Sequence, residues 1–94
     1  MLLKFEDQVI YWRGPSPFHF VAVPEPVAKK IKAEAARLSY GWGVIPVTAT
    51  IGKVEFTTSL FPKDGGYLLP IKNAVRLPAG IEVGDNLKIS LSLG

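Results

Sequence analysis

The sequence predicts a mainly β fold, a small six-stranded pseudo-barrel with one longer and one shorter α-helix. Three observations support this prediction. Apolar and polar residues alternate in Val54–Phe61 and again in Leu87–Leu93, as in strands with one buried face. The order strand, proline, helix, glycine, strand occurs twice along the chain. A length of 94 residues suits one compact core, so we expect a single domain over residues 1–94.

The first half of the chain predicts three strands and the longer helix. Leu2–Trp12 alternates as a strand, and the prolines and glycine of Gly14–Pro17 indicate a loop. Phe18–Val23 is the second predicted strand. Apolar residues then recur at helical spacing over Glu25–Leu38. The half ends with a predicted left-handed helix cap and the third strand, at Gly41 and Val44–Ile51.

The second half begins with the alternating strand Val54–Phe61. Proline and two glycines over residues 62–66 indicate a hairpin connection, which leads into the strand Tyr67–Pro70. Ile71–Leu77 is predicted as the shorter helix, ended by a proline and a glycine. A Gly-Asp turn at residues 84–85 then opens the last strand, Leu87–Leu93.

The two halves, residues 1–51 and 52–94, predict a pseudo-two-fold repeat. Shifted by 46 positions, Pro24 falls on Pro70 in the strand–helix junctions. Shifted by 42 positions, the apolar face of Ile45–Ile51 falls on that of Leu87–Leu93. One half cannot cover its own apolar face, whereas two halves can. A barrel completed within one chain predicts that the monomer folds, although a homodimer is the alternative.

Composition narrows the classes of function. The chain has 11 basic and 8 acidic residues, a formal charge of +3 and no cysteine. Disulfides and thiolate metal sites are therefore excluded, and a cytoplasmic location is expected. No apolar run approaches the roughly 20 residues of a membrane-spanning helix, and we expect no membrane association. Mild basicity permits an anionic ligand or nucleic acid, but the basic residues form no long stripe.

Six residues are candidates for ligand or partner binding: Trp12, Arg13, His19, Trp42, Lys63 and Arg76. Trp12 and Arg13 could stack on a ligand or close the barrel end. His19 is the only histidine, and a packed structural role is the alternative to a chemical one. Trp42, in Gly41–Gly43, could form an aromatic platform or follow a helix cap.

Two further groups could bind an anion. Lys63 follows the hydroxyl-bearing Thr57–Ser59, and ammonium and hydroxyl groups can donate together. Arg76 lies one helical turn after Lys72, and a guanidinium suits bidentate contact with phosphate. For both groups, ordinary solvent exposure is the alternative. We predict no catalytic residues, no cofactor and no metal site, because the single histidine and scattered carboxylates lack ligand spacing.

The second half resembles the swapped-hairpin units of AbrB- and MazE-type transcription regulators. These units have a strand ending in proline, a short helix with an arginine, a glycine, a Gly-Asp pair and a final strand. The corresponding residues are Leu69-Pro70, Arg76, Gly80, Gly84-Asp85 and Leu87–Leu93. Those regulators bind DNA as dimers, so the resemblance implies a DNA-binding regulator as one candidate function.

Three segments together resemble the bacterial family called domain of unknown function 1905. They are GPSPFHFVAVPEPVAKKI, GWGVIPVTATIG and TSLFPKDGGYLLPIKNAVR, in that order. The resemblance implies a β-barrel of the double-split type and brings no activity or catalytic residues. We therefore expect a non-enzymatic binding or accessory module, with a protein partner or an anionic ligand. A DNA-binding regulator and a small-ligand-binding barrel or enzyme are the alternatives.

Overall fold

Six antiparallel strands form a closed barrel. The computed structural model describes residues 1–13, 18–38 and 44–93, apart from the side chains of Trp12 and Leu38. The strands are β1 (Leu2–Trp12), β2 (Phe18–Ala22), β3 (Ile45–Ile51), β4 (Val54–Lys63), β5 (Gly66–Ile71) and β6 (Asn86–Leu93). They close in the order β1–β2–β5–β4–β3–β6. The described helices are α1 (Glu25–Ala33), α2 (Ala35–Leu38) and α3 (Asn73–Ala79).

Two long strands each belong to two sheets. The first part of β1, residues 2–8, pairs with β6, and residues 9–12 pair with β2. In the same way, residues 54–60 of β4 pair with β3, and residues 61–63 pair with β5. The barrel is therefore split at two places, and the mainly β, double-split prediction is confirmed.

The barrel interior is filled by apolar side chains. Alternation along β3 points every second residue inward, from Ile45 to Ile51. The largest fully buried side chains come from all six strands and from α1: Ile31, Ile45, Leu60, Leu69, Ile71, Ile89, Leu91, Val9 and Val21. Burying each side chain of this size stabilises the fold by about 1.5–3 kcal/mol. A ligand would therefore bind outside this packed interior.

The longer predicted helix is broken at Glu34. This residue has φ −105° and ψ 2°, and its N–H donates to the Ile31 carbonyl at 3.0 Å. The chain then resumes as α2, where the Arg37 side chain pairs with the Glu34 carboxylate at 3.1 Å. The prediction of one helix over Glu25–Leu38, and hence of two helices in total, was wrong. Three short helices are present in the described part of the chain.

The shorter helix begins two residues later than predicted. Ile71 remains in β5, where it pairs with His19 and is only 1% exposed. Pro78 lies inside α3 rather than ending it. Gly80 ends the helix, as predicted, and has the left-handed conformation with φ 68°.

The hairpin between β4 and β5 is tighter than predicted. Its turn consists of Asp64 and Gly65, which both have positive φ, 52° and 80°. Such a two-residue turn matches the twist of antiparallel strands, so pairing continues to Lys63 and Gly66. Pro62 therefore lies in β4, near its end, instead of in the connection.

The strand order and register are compatible with two equivalent halves. Exchanging β1, β2 and β3 for β4, β5 and β6 leaves every neighbour relation of the barrel unchanged. Ala22 and Leu68, which are 46 positions apart, lie opposite each other. Ala49 and Leu91, which are 42 positions apart, do the same. A two-fold axis through both pairs would require this register, and descent from a duplicated half remains a prediction.

Candidate functional site

One end of the barrel carries a pair of rings beyond the packed core. Tyr11 on β1 and His19 on β2 lie directly opposite each other in the strand register. They continue the face that holds Val9 and Val21, which are both fully buried. The two ring centroids are 4.7 Å apart with the planes tilted by 57°. Strand alternation directs both rings toward the inside of the barrel, but they lie beyond the packed core. The ring pair therefore lies at the opening of the barrel.

Two adjoining clefts share this ring pair. The α3 cleft has a volume of about 500 Å³ and is lined by Tyr11, Phe18, His19, Ile71, Lys72, Asn73 and Arg76. The outer cleft has a volume of about 750 Å³ and is lined by Ile10, Tyr11, Arg13, His19 and Val83. We call the residues that line the two clefts the His19 mouth. Volumes of this size are typical of small-ligand sites.

Arg76 is held in place by uncharged groups. Its Nη1 donates to the Ile81 carbonyl at 3.0 Å, and its Nε donates to Asn73 Oδ1 at 3.3 Å. A guanidinium has five N–H donors. The other three have no hydrogen-bond partner within the described part of the chain. Arg76 is therefore positioned by the end of α3 while it keeps donors available for a ligand.

His19 is half-buried between the ring of Tyr11 and the charge of Arg76. Partial burial lowers the pKa of His19 below its usual value, and the Arg76 guanidinium lowers that pKa further. Both causes disfavour the protonated imidazole. His19 is therefore neutral at pH 7, with one ring nitrogen able to donate and the other able to accept a hydrogen bond.

The described residues that line the His19 mouth include cations but no acids. None of the eight acidic residues is among the described residues that line either cleft. In the described ranges, ion pairs join Lys29 to Glu25 and Arg37 to Glu34, away from this mouth. In the turn that follows α3, Glu82 and Asp85 line neither cleft, and the Asp85 carboxylate accepts a hydrogen bond from the Glu82 N–H at 2.9 Å. Within the described part of the chain, Arg13, Lys72 and Arg76 therefore form no ion pair with a carboxylate.

The structure brings together three of the six predicted site residues. Arg13, His19 and Arg76 all line the His19 mouth, and Lys72 lies beside Arg76 as its helical spacing predicted. The backbone of Trp12 pairs with Phe18 next to the mouth. The Trp12 side chain, and Trp42 with all of Gly41–Gly43, lie outside the described parts of the structure.

Lys63, the last residue of β4, lies beside the other end of β5. It pairs with Gly66, the first residue of that strand, whereas His19 pairs with Ile71, the last. It also does not line the shallow groove of about 350 Å³ that contains Thr57 and Thr58. Thr57 and Thr58 therefore line a groove without Lys63, and the anion site of Thr57–Ser59 with Lys63 stays a prediction.

Six residues that line the mouth were not among the candidates from the sequence: Ile10, Tyr11, Phe18, Ile71, Asn73 and Val83. Tyr11 lies two positions after Val9 in an alternating strand, and this pattern predicts a buried side chain. The sequence does not show that the strand extends beyond the packed core. Val83 approaches because the backbone of Gly84 donates to the Val9 carbonyl at 2.9 Å. Both depend on strand pairing across the barrel, for which the sequence has no local signal.

A second mouth lies at the opposite end of β2 and β5. Its cleft of about 390 Å³ lies between α1 and the β4–β5 turn and is lined by Val23, Glu25, Ala28, Lys29, Lys32, Asp64, Gly65 and Gly66. We call these residues the α1 mouth. Here Lys29 pairs with Glu25 at 3.2 Å. The basic residues of this mouth are thus accompanied by two carboxylates, those of Glu25 and Asp64.

Comparison with protein families identifies the family of the chain. The model of a domain of unknown function, DUF1905, matches residues 5–91 of the 94. The chain belongs to the DUF1905 family. No curated protein matches it. Membership in DUF1905 assigns no function to the His19 mouth, and the resemblance to AbrB- and MazE-type units remains a prediction.

Two other classes of site were sought in the described residues. No group of three or more His, Cys, Asp and Glu side chains in residues 1–13, 18–38 and 44–93 is arranged to hold a metal ion. Over the same ranges, no helix has both the length and the apolar composition needed to span a bilayer.

Proposed function

We propose that this DUF1905 protein is a non-enzymatic binding module that recognises an anionic ligand at the His19 mouth. One observation carries the proposal: Arg13, Lys72 and Arg76 line adjoining clefts from which carboxylates are absent among the described lining residues. Hydrogen bonds between charged groups contribute about 1.5–3 kcal/mol each. Arg76 is already oriented by Asn73 and Ile81, so little side-chain entropy is lost when it binds.

A binding role accounts for the mouth better than catalysis does. A general base needs a nucleophile or a substrate proton within hydrogen-bond reach and a group that orients the base. The described residues that line the clefts with His19 supply a phenol, an amide and three cations, but no hydroxyl of serine or threonine and no carboxylate. An enzyme or small-ligand barrel is the alternative, and its ligand would bind at this outer mouth because the interior is filled.

The test is a titration with pyrophosphate, followed by calorimetry and by NMR shifts of backbone amides. We expect binding to the wild-type protein, with the largest shifts around His19 and Arg76. Lys72→Ala should weaken binding about tenfold, equivalent to about 1.4 kcal/mol. Lys32→Ala, which removes a lysine from the α1 mouth, is the matched control and should change affinity less than about twofold. Absence of binding, or equal losses in the two variants, would refute the proposal.

A DNA-binding regulator is the second candidate. The charge of +3 and the three unpaired cations of one mouth favour it. Three phosphate contacts predict a slope of about −3 for log affinity against log salt concentration. Duplex DNA should therefore be titrated at two salt concentrations. A steep slope that flattens in Lys72→Ala would favour DNA over a small anion, and absence of binding at low salt would exclude it.

A cytoplasmic location and a protein partner are further proposals that rest on composition alone. The absence of cysteine is compatible with a reducing compartment. Cell fractionation tests the location.

A further inference from the structure

We infer that the ligand of the His19 mouth is a small anion that carries a flat apolar group, such as an aromatic phosphate or carboxylate. The inference rests on the proposed function and adds the chemical class of the ligand. The α3 cleft is lined mainly by polar side chains and the outer cleft largely by apolar ones. The two clefts share one wall, the ring pair of Tyr11 and His19.

The α3 cleft supplies the polar half of the site. Lys72, Asn73 and Arg76 line it together with His19, above a floor that includes the buried Ile71. The ammonium of Lys72 and the remaining N–H groups of Arg76 are donors only. An anionic group fits this cleft, because its oxygens can accept hydrogen bonds from both side chains and from the one N–H of the neutral His19 ring.

The outer cleft supplies an apolar half. Six large hydrophobic side chains of the described chain are exposed, and three of them line this cleft: Ile10 at 42%, Tyr11 at 42% and Val83 at 56% exposure. Scattered exposed apolar residues are ordinary on protein surfaces, but a cluster within one cleft indicates a contact surface. Covering these three side chains would remove their apolar surface from water, which favours binding.

The geometry of the shared wall favours a planar group. Tyr11 and His19 present rings to both clefts, and ring pairs prefer offset or tilted stacking with further rings. The guanidinium of Arg13 is itself planar and stacks on aromatic faces. Each of the two clefts has the size of a small-molecule site, whereas a folded protein partner would require a much larger surface.

Three probes separate the ionic from the apolar contribution: inorganic phosphate, phenyl phosphate and benzyl alcohol. Calorimetry or NMR titration should show phenyl phosphate binding about tenfold tighter than inorganic phosphate, because the phenyl group gains the apolar contacts of the outer cleft. Benzyl alcohol, which lacks the charge, should bind more weakly than phenyl phosphate by at least about tenfold.

Two exposed side chains give a matched pair of variants. Val83→Ser should reduce the preference for phenyl phosphate over inorganic phosphate at least threefold. Leu77→Ser is the control, because Leu77 is 63% exposed and lines neither cleft. Since both side chains are exposed, both variants should fold, which circular dichroism checks.

The outcomes distinguish this inference from the proposed function. Equal affinities for the two phosphates, or equal effects of the two variants, overturn the inference and leave the proposed anion site intact. Absence of binding by both phosphates overturns both. Benzyl alcohol that binds as well as phenyl phosphate shows an apolar site and also overturns both. A phosphotyrosine hexapeptide that binds more than tenfold tighter than phenyl phosphate would overturn the assignment to a small molecule.

Discussion

The two mouths of the barrel occupy equivalent places in its topology but differ in chemistry. Each lies where a helix begins beside the tip of a neighbouring hairpin, α3 beside β1 and β2 and α1 beside β4 and β5. In the α1 mouth the hairpin tip is the tight turn of Asp64 and Gly65. In the His19 mouth two rings stand at that place.

The difference shows that one barrel can have an opening whose charges are balanced and another opening that attracts an anion. The α1 mouth contains Glu25 and Asp64 beside its lysines, so its charges are balanced within the protein. The described lining of the His19 mouth contains cations and apolar rings but no carboxylate. Because the strand order around the two mouths is equivalent, the few side chains at the hairpin tip and on the helix decide which opening attracts an anion.

Reversing the charge of one lysine in the His19 mouth should have the largest effect on anion affinity. Lys72→Glu replaces attraction by repulsion in the α3 cleft, a change of about 2 kcal/mol at contact distance in water. We expect pyrophosphate affinity to fall about 30-fold in a calorimetric titration. Lys32→Glu makes the same change in the α1 mouth and should alter affinity little. A similar loss in both variants would mean that only net charge matters.

Removing the two carboxylates of the α1 mouth should make its anion binding resemble that of the His19 mouth. In the double variant Glu25→Gln and Asp64→Asn, Lys29 loses its partner at 3.2 Å and Lys32 loses a neighbouring acid. Asparagine tolerates the positive φ of residue 64, so the turn should persist. We expect pyrophosphate affinity at this mouth to rise about tenfold, seen as new NMR shifts around Lys29. Unchanged shifts there would show that the acids are not what separates the two mouths.

Lowering the pH should increase the difference in anion affinity between the two mouths, because His19 can be protonated and the α1 mouth lacks it. Protonation adds a positive charge beside Arg76, Lys72, Arg13 and the Tyr11 ring, so sulfate affinity should rise about fivefold between about pH 8 and pH 5. Sulfate keeps its charge over this range, so the change reports on the protein. His19→Gln should remove the rise, and an equal rise in that variant would assign it to other groups.

The same proton should destabilise the ligand-free protein. Since the pKa of His19 is lowered in the folded state, the unfolded chain binds the proton more tightly. The stabilisation from a neutral His19 is therefore present above the unfolded-state pKa and is lost as pH falls through the range below it. Urea unfolding should show a smaller pH dependence in His19→Gln than in the wild-type protein over that window.

Sequence patterns predicted the strands because their signal is local. Alternation in Val54–Phe61 and Leu87–Leu93 survives in β4 and β6, and the glycine at position 80 ends α3 as expected. The missing N–H of proline predicts a loop at Pro62, but a strand end tolerates this residue, and Pro62 lies near the end of β4. The break at Glu34 has no comparable sequence signal, since glutamate is a good helix former.

The candidate site was predictable only in part. Arg76 was found because helical spacing joins it to Lys72, and His19 because it is the only histidine. That these two residues share a cleft depends on β2 pairing with β5, so that the chain leaving Ile71 returns beside His19. Such long-range register is set by the closure of the whole barrel, and no short window of sequence contains it.

The pairing of β1 with β6 has a consequence for how the chain folds. It joins residues near opposite ends of the sequence, such as Leu2 with Ser92, so the barrel cannot close until its last strand is available. Contacts between distant positions cost loop entropy before they stabilise anything, and barrels of this kind fold in milliseconds to seconds. A ribosome adds about 5–20 residues per second, so the edge of β1 waits unpaired for several seconds during synthesis. The interval before closure is therefore the period in which this chain is most exposed to aggregation.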